Sequence, residues 1–570
     1  MLMIFTCNKL GFNPSYRETT TKMKAFLTLL LLAGTWLTTA QQTLNAEQWR
    51  SDLQFLQETV HQDYPFLFKK TTKEAFDKAV DDLYTQIPQL QDHQIIVGMM
   101  KLVASIQYGH TAMSSREWPS ENHRMPLNFY WFSDGVYIQG AHNDYQDILG
   151  ARVIKVEQTS IEETLEAIYP VVPVENDQYF KAYGIGFMNI AEVLHAQGIT
   201  PELQTEIKLT LEKDGKQFQR TVTTLPLSQL VNTPVKYGMM HTEGEWLGLG
   251  TGEDAPLYLS DLDRIYTYKY LEDQKAVYVR QSQVQDDSIA DIPTFYAEVF
   301  DFIENNDVEK LILDVRLNGG GNNYKNKSVV TGVILSEKIN EEGKFMVITG
   351  RRTFSACQNL VNELDNYTNV VFVGEPTAEN INFYGDNNRV VLPQSKIPVY
   401  LSFAWWQDKP QWENGPWIAP HVATDLSFAQ FMAGEDPALD AALNFSLEDL
   451  VLDPMEHFTN LFISGQIDKL RSDAKAMTKD ERYRFFDFEG EFNKTGYRLM
   501  SQGQHQEAVF VFQLIIESYP ESANAWDSLG DGLKAAGDSA KAKEAYQKSA
   551  SLAPGTDLAK ESLRKASELN

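Results

Sequence analysis

Cysteine is almost absent from this chain: Cys7 and Cys357 are the two among 570 residues. Cys7 lies in an amino-terminal stretch that we expect to be removed, which leaves Cys357 alone in the mature chain. A single thiol cannot form an internal disulfide, so a disulfide-stabilised scaffold is excluded. With 43% hydrophobic and 12% aromatic residues, a chain of this length can instead bury large apolar cores in three or four domains.

Positive charge is also scarce. Lysine and arginine number 50 against 78 aspartates and glutamates, which gives a formal net charge of -28 at pH 7. No basic stripe interrupts this acidic composition. Nucleic acids and anionic membrane surfaces both repel such a protein, so we predict no nucleic-acid partner.

The usual motifs of metal and cofactor chemistry are missing as well. No His-Glu-x-x-His or Cys-x-x-Cys pattern occurs, so the sequence predicts no zinc site. The glycines within residues 246–252 lack both a Walker lysine and the context of a dinucleotide fold, and we interpret them as a loop. Gly-x-Ser-x-Gly is absent too, which argues against an α/β-hydrolase nucleophile elbow. We predict no metal and no cofactor.

Near the amino end, one apolar run at residues 25–37 has the features of a secretory signal. Met23 and Lys24 precede it, and the small residues of 38–40 follow it. The run is too short to span a bilayer, and a buried core helix is the alternative. We predict an overlong start and signal peptide at 1–40, a periplasmic or secreted bacterial location, and no transmembrane anchor after cleavage.

The carboxyl end contains a repeat. Seven pairs of residues are separated by 34 positions: Phe492/Trp526, Gly496/Gly530, Leu499/Leu533, Gly503/Gly537, Ala508/Ala542, Phe512/Tyr546 and Pro520/Pro554. This period and its small residues resemble tetratricopeptide repeats, although an ordinary helical hairpin is the alternative. Two repeats and a last helix at about 555–569 are too few for independent stability, so we expect them to pack on the rest of the chain or on a protein partner.

The remaining patterns predict a multidomain α/β protein. Its segments are the signal region at 1–40, an N-terminal helical lid at 41–115, a β-rich PDZ-like module at 116–230, an α/β core at 231–446, a linker at 447–486, and all-α tetratricopeptide hairpins with a capping helix at 487–570.

Three stretches of the α/β core have the pattern of a serine-hydrolase site. They are LILDVRLNGGGN at 311–322, RRTFSACQN at 351–359 and VVFVGEPT at 370–377. The first and third are β-branched and aliphatic runs that break into Gly-rich or Gly-Glu-Pro sequence, as core strands do where they deliver functional loops. Between them, Ser355 follows a short predicted strand and precedes a helix-compatible run. This position suits a nucleophile, and a helix cap is the alternative.

Together, these motifs resemble the C-terminal processing and tail-specific serine peptidases, a superfamily that includes the tricorn core protease. The resemblance covers about residues 45–446 and is strongest from 311. It implies a ClpP/crotonase-like catalytic core, hydrolysis of a peptide or protein substrate, and Ser355 as the nucleophile. It also implies an oxyanion hole formed by the backbone N–H groups of Gly320 and Ala356, with Gly319 beside them.

One departure from that family affects the catalytic base. Tail-specific members carry a lysine in the loop after Gly-Glu-Pro-Thr, where this chain has Asn380. Asparagine cannot accept a proton near neutral pH. The tricorn-like branch uses a histidine from an earlier segment, and the sequence YGHT places His110 in a similar context. That branch also has a serine just before its histidine, where this chain has Gly109.

Two further residues complete the predicted site. Glu413 precedes the segment where tricorn-like relatives carry their acid, and we predict that it orients His110. Arg352 is a candidate for binding a substrate carboxylate. Each assignment has a structural alternative: His110 as a buried structural histidine, Glu413 as a solvated loop carboxylate, and Arg352 as a solvent-exposed strand end.

Two functions therefore remain open from the sequence. The first is a secreted serine endopeptidase with Ser355 as nucleophile and His110 as base. The second is a catalytically silent peptide- or lipid-binding relative that uses its repeats to recruit a partner.

Overall fold

A computed structural model describes residues 44–252, 255–448 and 450–569. The predicted signal peptide at 1–40 lies outside these residues. None of the helices in the described ranges is both long enough and apolar enough to cross a membrane. The described chain is a multidomain α/β protein with many helices and several sheets.

Three helices form the amino-terminal unit: α1 (Ala46–Asp63), α2 (Lys73–Gln86) and α3 (Asp92–Ala104). Asn45 and Gln48 form a capping box that satisfies the free N–H groups at the start of α1. The predicted apolar face of α1, which includes Trp49 and Leu53, is buried. After α3 the chain passes through residues 105–111 into the short strand β1 (Ala112–Met113).

The second unit is built mainly from antiparallel strands. These are β2 (His123–Arg124), β3 (Leu127–Phe132), β4 (Gly135–His142), β5 (Arg152–Val156), β6 (Thr159–Ser160), β7 (Glu206–Lys213), β8 (Lys216–Thr223), β9 (Leu225–Pro226), β10 (Val235–Lys236), β11 (Met239–Met240) and β12 (Trp246–Gly248). The helices are α4 (Ile161–Ile168), α5 (Asp177–Tyr179) and α6 (Ala191–Ala196). The main sheet has the order β12-β4-β5-β7-β8, with β3 on β4 and β6 on β5. Because β12 pairs with β4, this sheet extends beyond the boundary predicted at residue 230.

A six-stranded sheet forms the α/β core. Its strands, in spatial order, are β13 (Tyr266–Leu271), β14 (Ala276–Gln281), β15 (Lys310–Asp314), β16 (Phe345–Thr349), β17 (Val371–Gly374) and β20 (Val422–Ala423). β13 is antiparallel to β14, and the other neighbours are parallel. The helices of the core are α7 (Ile292–Asn305), α8 (Lys327–Leu335), α9 (Ala356–Tyr367), α10 (Phe428–Met432) and α11 (Pro437–Leu443).

Alternate residues of the core strands enter two different hydrophobic clusters, as the period of a strand requires. Leu311 and Leu313 pack with α7, α8 and α9 on one face of the sheet. Ile312 and Met346 pack on the other face with α11 and with the carboxyl-terminal helices. Both faces are therefore covered, which explains why these strands are almost uniformly apolar.

A long hairpin connects the core to the amino-terminal unit. It consists of β18 (Phe383–Val391) and β19 (Pro398–Trp406), and β1 adds to β19 as a third antiparallel strand. The hydroxyl groups of Thr111 and Ser402 also share a hydrogen bond at 2.6 Å. The segment that carries His110 is thus fixed to the core side of the molecule.

Within 450–569, the last described range, the α-helices are α12 (Pro454–Ile463), α13 (Ile467–Met477), α14 (Phe488–Ser501), α15 (His505–Ser518), α16 (Ala523–Ala535), α17 (Ser539–Leu552) and α18 (Asp557–Ser567). The segment predicted as a linker at 447–486 is largely helical. Its helices α12 and α13 bury Phe458 and Leu470 in the same hydrophobic cluster as the helices that follow them. A Cβ on Gly496 would lie 2.3 Å from the Phe512 ring, and one on Gly530 would lie 2.5 Å from Tyr546. Both pairs of helices need glycine where they cross.

Candidate active site

Ser355 occupies a sharp turn between β16 and α9. Its φ is 57° and its ψ is -129°, a positive-φ conformation that is costly for a residue with a side chain. Neighbouring hydrogen bonds hold the turn, since Phe354 N–H donates to the Asn318 carbonyl at 3.1 Å. The Ser355 side chain makes no capping hydrogen bond to α9. The helix-cap interpretation therefore does not account for this residue.

The Gly-rich loop after β15 lies directly against Ser355. A Cβ on Gly320, whose φ is 99°, would lie 2.6 Å from the Ser355 Cβ and 2.9 Å from the Ala356 nitrogen. No larger residue fits there. The glycines thus bring backbone groups to the position where a carbonyl bound at Ser355 would develop negative charge.

The predicted oxyanion donors differ in their present hydrogen bonds. Gly320 N–H donates to Asn318 Oδ1 at 3.0 Å, so it is engaged within the protein. Ala356 N–H and Gly319 N–H have no acceptor among the described residues. Gly319 is exposed, whereas Gly320 is buried against the serine. Ala356 is therefore the best placed of the three to receive an oxyanion without rearrangement.

His110 lies in the turn that follows α3. Glu175 Oε1 accepts the N–H of Gly109 at 2.8 Å, and Asn387 Nδ2 donates to the His110 carbonyl at 3.3 Å. The imidazole stacks on the Phe354 ring with centroids 4.8 Å apart, and its side chain is 16% exposed. Because Phe354 precedes Ser355, this stacking brings the histidine to the serine turn.

Glu379, which the sequence-based prediction missed, joins the histidine and the serine. Its Oε1 lies 3.5 Å from His110 Nε2, and its Oε2 accepts the backbone N–H of Ser355. The carboxylate is fully buried. Neither His110 Nε2 nor Glu379 Oε1 has a hydrogen-bond partner among the described residues. These two atoms face each other at a distance that a small closure converts into a hydrogen bond, and such bonds are often long in unliganded enzymes.

Burial sets the protonation of this pair. Desolvation lowers the pKa of His110 to about 4, against a smaller opposing effect of Asp386. Desolvation raises the pKa of Glu379 well above its usual range, and the nearby Glu175 carboxylate raises it further. The imidazole is therefore neutral at pH 7, which is the form that accepts a proton.

Glu413 is not brought to His110. It lies in a single helical turn at Gln411–Glu413, its side chain is 47% exposed, and its ion-pair partner is Lys409 at 3.7 Å. Glu379 takes the place beside the imidazole instead. The one sequence feature that could have indicated Glu379 is its place immediately before Asn380. The loop that contains both residues is where tail-specific peptidases carry their lysine.

The two arginines before Ser355 have different environments. Arg351 forms a bidentate pair with Glu375 and donates to the Trp131 carbonyl, so it is structural. Arg352 Nη1 donates to the Ala182 carbonyl at 3.2 Å, and the guanidinium lies 4.7 Å from the Tyr183 ring centroid. Its Nε has no partner among the described residues. Arg352 is therefore held by the strand-rich unit, and its unpaired Nε is buried.

Cys357 is fully buried two residues after Ser355. Burial raises the pKa of its thiol well above the usual value. The reactive thiolate is therefore scarce, and the thiol is a packing residue of α9.

Several solved structures are similar to this chain. Mature CPAF complexed with lactacystin aligns with 70% of this chain and 99% of its own length, at 13% identity and a TM-score of 0.46. A putative peptidase from Parabacteroides merdae aligns with 71% and 99%, at 14% identity and a TM-score of 0.35. The tricorn protease aligns with 70% and 36%, at 12% identity and a TM-score of 0.31. No family model and no curated protein matches the chain. All three of these TM-scores are below 0.5, so the likeness is a distant one.

Proposed function

We propose that this protein is a secreted or periplasmic serine endopeptidase that cleaves peptide bonds through an acyl-enzyme on Ser355. One observation carries the proposal: the buried Glu379 carboxylate faces the His110 imidazole with one oxygen and holds the Ser355 backbone with the other. A nucleophile, a base and a carboxylate that orients the base are the three parts of a hydrolytic triad. The motifs at 311–322, 351–359 and 370–377 support the same reading.

In the proposed reaction, Ser355 Oγ attacks the carbonyl carbon of the peptide while His110 takes the hydroxyl proton. The oxyanion accepts the N–H of Ala356 and a second N–H from the Gly-rich loop. His110 then gives its proton to the leaving amine as the C–N bond breaks, which leaves an ester on Ser355. Water then attacks the ester carbonyl while His110 takes its proton. The ester C–O bond breaks, His110 returns the proton to Ser355 Oγ, and the carboxylic acid product leaves.

In this scheme Glu379 replaces Glu413 as the residue that orients the base. A buried carboxylate beside an imidazole stabilises the imidazolium that forms during attack. Burial raises the pKa of Glu379 and favours its neutral form, whereas the imidazolium that forms during attack favours the carboxylate. Secretion rests separately on the charged start, apolar run and small residues between 23 and 42.

A catalytically silent binding protein is the second candidate. The observation that favours it is the Gly320 N–H, which donates to Asn318 Oδ1 and so is not free for an oxyanion. On this alternative, the residues around Ser355 would bind a peptide without cleaving it.

Labelling with a fluorophosphonate distinguishes the two candidates. We expect the wild-type protein to be labelled and Ser355→Ala to lose the label. Ser160→Ala is the matched control, because Ser160 also begins a helix and its hydroxyl accepts the N–H of Glu163. Absence of labelling in folded wild-type protein, or equal labelling of Ser355→Ala, would support the binding protein instead.

A further inference from the structure

Glu175 is a buried carboxylate that the proposed reaction does not use. It lies before α5, in the strand-rich unit, and its side chain is fully buried. Its Oε1 accepts the N–H of Gly109 at 2.8 Å. Its Oε2 accepts both the backbone N–H of Asn380, at 3.3 Å, and the Asn380 side-chain amide. Charge-assisted hydrogen bonds of this kind are among the stronger ones in proteins.

The two residues that Glu175 holds are neighbours of the proposed catalytic groups. Gly109 directly precedes His110, and Asn380 directly follows Glu379. The hydroxyl of Tyr179 also donates to the Gly109 carbonyl at 3.2 Å, so both peptide groups of Gly109 are fixed by this segment. One carboxylate therefore connects the loop of the base with the loop of its partner.

Lys70 supplies the counter-charge. Its Nζ lies 3.9 Å from Glu175 Oε2 and donates to the Gln107 carbonyl at 2.8 Å. It also lies 4.6 Å from the centre of the Tyr108 ring. A buried carboxylate without a cation nearby would be strongly disfavoured in its charged form. Burial raises the pKa of Glu175, and Lys70 opposes this shift together with the N–H groups of Gly109 and Asn380. Lys70 thus favours the charged form of Glu175.

We propose that Glu175, with Lys70 as its counterion, is a positioning residue that sets the separation of His110 and Glu379. The proposal rests on the function proposed above. Glu175 touches no reacting atom; it acts through the backbone on either side of the two catalytic groups. Misplacement of a catalytic group by about 1 Å costs about 10²-fold in rate, so a residue that fixes their spacing matters.

The charge of Glu175 also influences the groups around it. Lys70, Tyr108 and Tyr179 face it, and Glu379 lies near enough for the Glu175 charge to raise its pKa. Glu379 also interacts with His110, Tyr183, Tyr179 and Lys70. Asp386 acts on His110 and raises its pKa against the effect of burial. Removal of the Glu175 charge therefore favours the ionised form of Glu379. An ionised Glu379 in turn raises the pKa of His110.

A cavity of about 370 Å³ lies beside Glu175. Lys70, Tyr108, Glu175 and Asn380 line one part of it, and Trp405 lines another. A formate ion is small enough to enter a space of this size. Loss of the Glu175 side chain can therefore be tested for rescue by a small carboxylate added to solution.

The test measures the second-order rate of fluorophosphonate labelling against pH in the full chain. We expect Glu175→Ala to label roughly 10- to 100-fold more slowly than wild type, and formate, but not chloride, to restore part of the rate. We expect Glu175→Gln to move the acid midpoint of labelling to higher pH, and Lys70→Met to slow labelling while Glu175 is retained. Asp52→Ala is the matched control. Asp52 is a buried carboxylate that holds the N–H groups of Gln394 and Ser395 at 2.7 Å, and we expect neither a formate effect nor a moved midpoint there.

The outcomes separate the two proposals. If wild-type protein is not labelled at Ser355, the proposed function fails. Suppose that wild-type protein is labelled, and that Glu175→Gln and Lys70→Met have the same labelling rate and the same acid midpoint as wild type. The positioning role is then overturned, while the proposed function stands. The positioning role is also overturned if the Glu175 variants are labelled slowly but keep the wild-type acid midpoint and do not respond to formate. A carboxylate with a purely structural role would give that result. Circular dichroism shows whether a variant is folded. If Glu175→Ala is unfolded, the labelling of Glu175→Gln and Lys70→Met decides whether Glu175 is a positioning residue.

Discussion

At the scale of single residues, the two oxygens of Glu379 have different tasks. One faces the imidazole of His110 and the other fixes the backbone of Ser355. Glu413, which sequence spacing favoured, has neither contact and is half exposed. Glu379 and Glu413 therefore allow a direct comparison between a buried carboxylate that bridges two groups and an exposed carboxylate that does not.

We predict that Glu379→Gln slows fluorophosphonate labelling roughly 10- to 10³-fold, because the amide keeps the shape but cannot stabilise an imidazolium. Glu413→Gln should change the rate by less than about twofold, since an exposed carboxylate near one lysine contributes little. Both rates are measured at pH 7 on proteins with wild-type circular dichroism. The reverse order of effects would restore Glu413 as the orienting acid.

The pH dependence should also follow from His110. Its pKa is lowered to about 4, so labelling should persist as the pH falls below 6 and be lost near pH 4 as the imidazole is protonated. The unfolded chain binds the same proton near pH 6.5, so this group lowers the free energy of unfolding as the pH falls from 6.5 towards 4. A labelling midpoint at 6.5 would show that His110 is solvated or is not the base. Fluorophosphonate labelling rates measured between pH 3.5 and 8 give this midpoint.

At the scale of elements, the loop between β15 and α8 determines how closely backbone approaches the serine. We predict that Gly320→Ala abolishes labelling and lowers the melting temperature, because its Cβ would meet Ser355 and backbone atoms within 3 Å. Gly319→Ala keeps its N–H, and its Cβ would meet only Tyr183 Oη at 3.4 Å. We expect this control to fold normally and to be labelled. Equal behaviour of the two variants would contradict the close approach of Gly320.

Elements also show what the sequence could predict. The runs around 311 and 371 form β15 and β17, because buried parallel strands require uninterrupted apolar residues, and Ser355 follows β16. The family pattern indicated His110, and its loop is fixed beside Phe354. These features depend on local sequence or on motifs in a known order.

The missed residues depend on contacts between distant segments. Glu379 and Glu413 are both carboxylates after the third motif, and the path of the β18–β19 hairpin decides which of them meets His110. Glu175 acts on Gly109 and Asn380 from another unit. Helices α12 and α13 were missed because their charged residues face solvent and only a few residues, such as Phe458, enter the core.

At the scale of the whole molecule, one hydrophobic cluster runs from the sheet of the core into the carboxyl-terminal helices. Met346 and Ile348 of β16 belong to it together with Phe458 and Phe512. The helices thus cover a face of the sheet that would otherwise be exposed to water. That two repeats are too few to stand alone stays a prediction, and it can be tested through this shared cluster.

We predict that Phe512→Ala destabilises the protein by about 3–5 kcal/mol, because the side chain is fully buried and leaves a cavity. Phe462→Ala is the control. Phe462 is 39% exposed, and its loss should cost less than about 1 kcal/mol. In calorimetry, Phe512→Ala should lower the temperature of the unfolding transition that includes the core. A separate low-temperature transition for the helices, with the core unchanged, would contradict a shared cluster.

The groups of the proposed site and the residue that positions them come from three parts of the chain. His110 follows the amino-terminal helices, Glu175 belongs to the strand-rich unit, and Ser355 with Glu379 belongs to the core. Until these parts pack against one another, the proposed nucleophile Ser355 lies apart from its proposed base. The activity proposed for this protein therefore requires a completely assembled chain.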